Sequence, residues 1–221
     1  MERPQSLARL SEVLRAQTRK LHTEVERSDF MVALLNGRVD RVGYCALLRS
    51  LHLVYATLEP ALRRHRGHAA IVPILLPELA RADAIAADLV ALHGPDWQRQ
   101  LFAKPAAVEY AERLALLDAE RPHELVAHAY VRYLGDLSGG QIVRRAVSAS
   151  LGLQGPDGVR FYAFGPGASM KSLATRFREG IDEIAPGRTE SAAIVAEAQF
   201  GFALHRRLFQ QLALEHPVYA R

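Results

Sequence analysis

Apolar positions recur with helical spacing along almost all of the 221-residue chain. Leu7, Leu10, Leu14, Leu21 and Val25 follow one another at three, four and seven, with Thr18 filling the gap, which predicts a helix over residues 6–27. A short helix over 30–35 stops at Asn36-Gly37. Leu47, Leu51, Val54, Leu58 and Leu62 set the core face of a second long helix over 42–64, with Tyr55 beside the stripe and Gly67 closing it. Further helices are expected over about 76–92, ending at Gly94-Pro95, over 106–120, stopped before Pro122, and over 122–151, ended by Gly152. The loop 155–167, rich in glycine and carrying Phe161, Tyr162 and Phe164, has room for a short hairpin. Ser169 is placed to cap a helix running to Ile184, which carries Lys171, Arg176 and Arg178. Thr189 opens the last helix, which has Glu190 in its first turn and ends near Leu214. Every strong segment has helical period, so the expected fold is all-α, with residues 1–221 forming a single domain.

Composition adds a class rather than a function. Apolar residues make up 49% of the chain and charged ones 24%, the balance of a soluble globular protein. The formal net charge is +4, but the basic residues are scattered rather than gathered into runs, so nucleic acid is not an expected partner. A basic patch for an acidic protein or an anionic ligand stays open. Cys45 is alone, which excludes an intramolecular disulfide framework and fits a reducing cytoplasm. The start Met1-Glu2-Arg3-Pro4 lacks the plan of a signal peptide. The longest apolar run, 69–76, is broken by Pro73 and is far short of a membrane span, so no membrane association is expected.

Candidate chemistry concentrates in the helix over 122–151. Gly135, Gly139 and Gly140 stand in its interior, where each glycine costs about 1 kcal/mol relative to alanine. Gly135 and Gly139 share a face, which lets a neighbour approach the backbone closely, and Asp136 lies next to it. A close helix crossing would account for an isolated pair of such glycines; three with an adjacent acid favour a flat ligand. On the first helix, His22 flanks the apolar stripe. Arg15 and Arg19 share its side, and Glu26 lies one turn on to accept from the ring. One imidazole with arginines nearby suits a single axial ligand to a cofactor carrying acid groups, while His22 taken alone reads more simply as a core histidine. The other histidines fit plainer roles. His65 and His68 are expected in solvent, His93, His123 and His216 at helix ends, and His52, His128 and His205 as satisfied core groups. Paired Glu-x-x-His motifs, a His-Glu-x-x-His zinc motif and a phosphate-binding glycine loop are all absent from the sequence.

The run Arg132-Tyr133-Leu134-Gly135-Asp136-Leu137-Ser138-Gly139-Gly140-Gln141 resembles the distal-helix signature of haem oxygenases. Leu21-His22-Thr23-Glu24, followed by Phe30-Met31, is similar to the family's proximal segment. The likeness continues through Ser50-Leu51, Tyr55-Ala56 and Leu58-Glu59, then through Phe161–Phe164 to the last helix, where Phe202 to Phe209 keeps the family spacing.

The resemblance implies a multi-helix bundle holding haem between proximal and distal helices. His22 would be the proximal iron ligand, and Gly135, Gly139 and Gly140 would lie over the opposite face. Asp136 would hold a proton-delivering water network, with Arg132, Tyr55 and His205 in its outer part. Arg15, Arg19, Tyr130 and Arg178 would clamp the propionates. Haem would be both substrate and cofactor, cleaved with O₂ and external electrons to biliverdin, CO and Fe²⁺, at the α-meso carbon. The donor would be a separate ferredoxin or flavin reductase. Two positions depart from the family pattern. Ala174 stands one turn before Arg178 where many members have lysine, with Lys171 a turn earlier as a substitute, and His205 replaces the usual asparagine. Two rivals from other classes are a haem carrier or sensor without turnover, and a helical thiamin-degrading enzyme, for which Cys45 is the one available thiol.

Overall fold

The computed structural model describes residues 9–164, 170–184 and 186–215. Nine α-helices and no strands occur among the described residues. They are α1 (Leu10–Glu26), α2 (Asp29–Leu35), α3 (Arg41–Arg64), α4 (Ala82–His93), α5 (Trp97–Gln100), α6 (Pro105–Glu120), α7 (Leu125–Ser150), α8 (Met170–Glu183) and α9 (Arg188–Leu214). The fold class matches the periodic reading. The hairpin does not: that stretch holds a single 3₁₀ turn, Arg160–Tyr162, among its described residues. Ser169, Leu7 and His216 lie outside the described residues.

The expected helix over 76–92 was also wrong at its start. Pro73 and Pro77 remove backbone donors, so the chain makes two 3₁₀ turns, Val72–Ile74 and Pro77–Leu79, before α4 begins. Glu59, buried on α3, then accepts from the backbone N–H groups of Arg81 (2.5 Å) and Ala82 (3.2 Å), supplying the missing cap of α4 from another helix. α3 itself ends at Arg64 with His65 as its cap, before Gly67 is reached.

α7 is the spine. Residues 125–133 are all buried, as expected of a helix that is apolar around its whole circumference. It packs against α9, α8, α2 and α3, while α1 lies on α9 and α8. Phe30 of α2 meets Phe209 of α9 at 5.4 Å, and Phe177 of α8 meets Tyr133 edge-on at 5.8 Å. The buried apolar side chains of all these helices join in one cluster. Asp182 of α8 accepts from Ser11 N (2.8 Å) and Ser11 Oγ (2.9 Å), capping the start of α1, which has no side-chain cap of its own. α1 and α8 are thus fixed as the two sides of one cleft over α7.

Glycines within helices serve two different ends. A Cβ on Gly180 would lie 2.1 Å from the Pro73 carbonyl oxygen, so only glycine lets α8 pack on the first 3₁₀ turn. A Cβ on Gly135 or Gly139 would meet nothing within 4 Å. Those two glycines face open space, and helix crossing does not explain them.

Candidate functional site

Two adjoining hollows lie between α1, α7 and α9, and His22, Val131, Gly135, Ser138 and Phe202 form their common wall. The inner one, about 360 Å³, is mainly apolar and reaches from His22 across Gly135 and Gly139 to Leu47, Leu51, Phe161 and Phe209. The outer one, about 780 Å³, is of mixed polarity and lined by Arg15, Arg19, Tyr130, Thr175 and Arg178, with Glu12, Glu179 and Asp182 also on its wall.

His22 projects from α1 into both. Its Nδ1 lies 3.4 Å from Glu26 Oε2, and Phe202 stands edge-on to the ring at 5.9 Å and 78°. The nitrogen turned away from Glu26 is the one left for a ligand. Arg15, Arg19 and Arg178 make no ion pair among the described residues, although other arginines nearby do. Tyr130 lies 3.3 Å from the Thr18 hydroxyl. Burial raises the Tyr130 phenol, with Thr18, Arg178 and Arg15 pulling the other way. Unpaired cations beside a buried phenol suit the acid groups of a ligand whose body enters the inner cavity.

Asp136 projects to the buried side of α7. Its carboxylate accepts from Tyr55 Oη and from Arg132 Nη2 (3.2 Å). Arg132 also donates from Nε to Tyr55 (3.3 Å), and its Nη1 lies 3.1 Å from His205 Nδ1. Tyr55 and Arg132 are therefore direct partners of the carboxylate. Burial pushes Asp136 above the ordinary carboxylate range, against the pull of Arg132, Tyr55 and Arg81. Burial also opposes charge on Arg132, but Tyr55 and Asp136 outweigh it and hold the guanidinium protonated. A carboxyl group poised this way can exchange a proton with a neighbour in the cavity.

Several expected residues sit differently from the simplest picture. Gly140 lines the inner cavity, but a Cβ there would lie 3.2 Å from the Tyr162 ring, so that glycine chiefly admits an aromatic neighbour. Lys171 is exposed and lines neither hollow, though it shares the stripe of Thr175 and Arg178 on α8. Ala174 is buried in the core, so it opens no gap on the cleft. His65 is half-buried with Nε2 3.0 Å from Asp118 Oδ1, rather than in solvent. His128 is a satisfied core histidine, 3.1 Å from Tyr110 and 2.8 Å from Glu197. Cys45 is buried off the cavity and its thiol is pushed up to about 11, which leaves no nucleophile for a thiamin-type reaction.

Sequence reasoning missed the residues that support the wall. Asp88 accepts from the backbone N–H groups of Arg160 and Phe161, both at 2.8 Å. Arg81 donates to the carbonyls of Phe161 and Ala163 and lies 4.1 Å over the Phe164 ring. Together they hold Phe161 and Tyr162 against the cavity. Thr18, read only as a gap in a stripe, orients Tyr130. A charged residue inside an apolar helical run was the available signal for Asp88 and Glu59.

The helical scaffold thus brings a mainly apolar cavity, an imidazole with one nitrogen turned away from its carboxylate partner, and three arginines without ion-pair partners together at one cleft. Comparison with known proteins makes this specific. Residues 8–211 match the model of the family described as "Heme oxygenase". The "Heme oxygenase" of Rhodella violacea is 35% identical over 199 residues, covering 90% of this chain and 85% of that protein. Heme oxygenase-1 from the cyanobacterium Synechocystis sp. PCC6803, solved in complex with heme, superposes with a TM-score of 0.89 at 30% identity, covering 94% of both chains. Heme oxygenase-2 from the same source, solved with heme and NO, gives a TM-score of 0.89 at 34% identity over 94% of this chain and 86% of that one. The chain belongs to the haem oxygenase family, a family of enzymes.

Proposed function

We propose that this protein cleaves haem, taking haem, O₂ and electrons to biliverdin, CO and Fe²⁺ with opening at the α-meso carbon. The observation that carries the reading is the meeting of His22 and the bare Gly135–Gly139 face on one cavity, with Asp136 buried behind that face. The residues fit the ligand. A planar ring needs a surface without side chains, its iron needs one imidazole, and its two propionates need cations that have no other partner.

Bound there, haem would supply both the iron that activates O₂ and the carbon that is oxidised. His22 would ligate through the nitrogen not facing Glu26, as neutral imidazole, with Phe202 limiting rotation of the ring. Arg15, Arg19 and Arg178 would hold the propionates with the Tyr130 hydroxyl, and Lys171 would extend the same cationic stripe. Gly135 and Gly139 would bring helix backbone close to the ring, and Gly140 would let Tyr162 close the wall. Asp136, with Tyr55 and Arg132, would hold the water through which a proton reaches the reacting oxygen.

Electrons would come from a separate ferredoxin or flavin reductase, and the arginines at the cleft mouth suit an acidic donor. The chain is proposed as one domain spanning residues 1–221, in keeping with the single buried cluster. No helix among the described residues is long and apolar enough to cross a membrane, which is compatible with a cytoplasmic enzyme. Haem and ascorbate added in air test the reading: the Soret band should bleach and a green pigment form. A haem that keeps its Soret band would identify a carrier instead.

A further inference from the structure

One end of the inner cavity takes no part in holding an iron or an acid group. There α2 contributes Met31, Leu34 and Leu35 to the wall and α7 contributes Gly139, Ile142 and Val143, with no polar side chain among them. None of the six lines the outer hollow, so this end lies away from the arginines. Two of them are also at the surface: Leu35 is 39% exposed and Ile142 55%. Side chains that line a cavity and meet solvent at once mark an opening, and here both of its lips are apolar. The opening belongs to the fold rather than to a frayed end. Phe30 anchors α2 against Phe209, and Gly37, just past α2, sits where an added Cβ would lie 3.2 Å from Ser150 Cβ at the end of α7. α2 and α7 therefore close on each other beyond a slot that they leave open. A lone exposed leucine needs no explanation, but a pair flanking the mouth of an apolar cavity does.

We propose that this slot is a subsite for a hydrocarbon chain, so that the protein accepts haems carrying an isoprenoid tail as well as haem itself. The proposal rests on the haem-binding reading of the cavity and names a further substrate class for it. With propionates at Arg15, Arg19 and Arg178, the ring edge opposite them would enter the inner hollow, and that edge is where a tailed haem bears its chain. A closed wall would reject the chain, and a polar mouth would leave it lying in water. An apolar slot lets it run out along Leu35 and Ile142, covering hydrocarbon that otherwise faces solvent on both partners.

Soret titrations of the haem-free, full-length protein with two ferric porphyrins test this: haem, and a haem with one hydroxyethylfarnesyl chain in place of a vinyl group. The tailed ligand should bind about tenfold more tightly, the gain from burying about two CH₂ groups. Ile142→Trp fills the slot and Leu35→Glu sets a charge on its lip. Both change exposed positions, so both proteins should fold and keep the wild-type affinity for haem, while the advantage of the tailed ligand disappears. Equal or weaker binding of the tailed ligand by the wild type would overturn the proposal. So would an advantage that survives in both variants, since the chain would then lie elsewhere. A haem-free dimer that Leu35→Glu dissociates would give the slot to a second copy of the chain, and would overturn it too. Binding is read apart from turnover, so a protein that binds both ligands in the expected order but cleaves neither would contradict the haem-cleaving reading alone; one that binds neither would contradict both.

Discussion

At the scale of single residues, the same helix turn that exposes glycine to the cavity buries an acid behind it. Gly135 and Gly139 face open space, while Asp136 is held by a phenol and a guanidinium. Replacing that acid leaves the packing intact but removes the group able to carry a proton. Asp136→Asn should therefore lower biliverdin formation by about 10²–10⁴-fold while haem binding, read by Soret titration, stays near the wild-type value. Undiminished biliverdin formation would show that Asp136 handles no proton. His22 is governed by the other half of the site. His22→Ala should still take up haem through the arginines and the apolar wall, but as a weakly ligated, inactive complex. Added imidazole should restore part of the turnover, and normal turnover without it would remove His22 from the iron.

At the scale of elements, the helices that frame the cleft contain glycine for opposite reasons, and this gives a paired prediction. Gly139→Ala adds a methyl where nothing lies within 4 Å, so the haem-free protein should gain about 0.5–1 kcal/mol from the helix propensity of alanine. The same methyl enters the cavity, so turnover should fall. Gly180→Ala drives its methyl into the Pro73 carbonyl and should cost about 1–3 kcal/mol or more, loosening α8 and with it Arg178. Denaturant unfolding of the two haem-free variants checks both signs. Two variants destabilised alike would mean that the face of α7 is packed rather than open. Much of this level was legible beforehand. The long apolar runs gave α1, α3, α7 and α9 to within a few residues, and the glycines beside Asp136 marked the face of α7 that the fold leaves open. What stayed hidden depends on partners distant in the chain. The start of α4 is set by Glu59 on another helix, and the wall around Phe161 is held by Asp88 and Arg81. Periodicity reports which face is buried, not which distant carboxylate caps a turn.

At the scale of the whole molecule, a second buried polar group joins α6, α7 and α9. Glu197 accepts from Arg113 (2.9 and 2.5 Å) and lies 2.8 Å from His128, which in turn reaches Tyr110. Burial works against the charge on Glu197, but these partners win and hold its carboxyl down at about 2. The folded state therefore binds this proton less readily than the unfolded chain, whose carboxyl titrates near the ordinary 4.5. Its contribution is complete above 4.5 and is lost as pH falls toward 2. The haem-free protein should thus lose stability across that window, and Glu197→Gln, though weaker at neutral pH, should lose less of what it has. Parallel pH curves for the two proteins would contradict the assignment. The arginine rim belongs to this scale too, since three cations without partners at one mouth would, on the proposed function, orient a dianionic ligand. Ala174 is buried and Lys171 is set back from the cleft, so that orientation would fall to Arg15, Arg19 and Arg178, and the proposal expects the ring to be held in one rotation. Chromatography of the product formed from haem, ascorbate and air tests this most directly. One isomer, biliverdin opened at the α-meso carbon, is expected; recovery of intact haem would contradict the account.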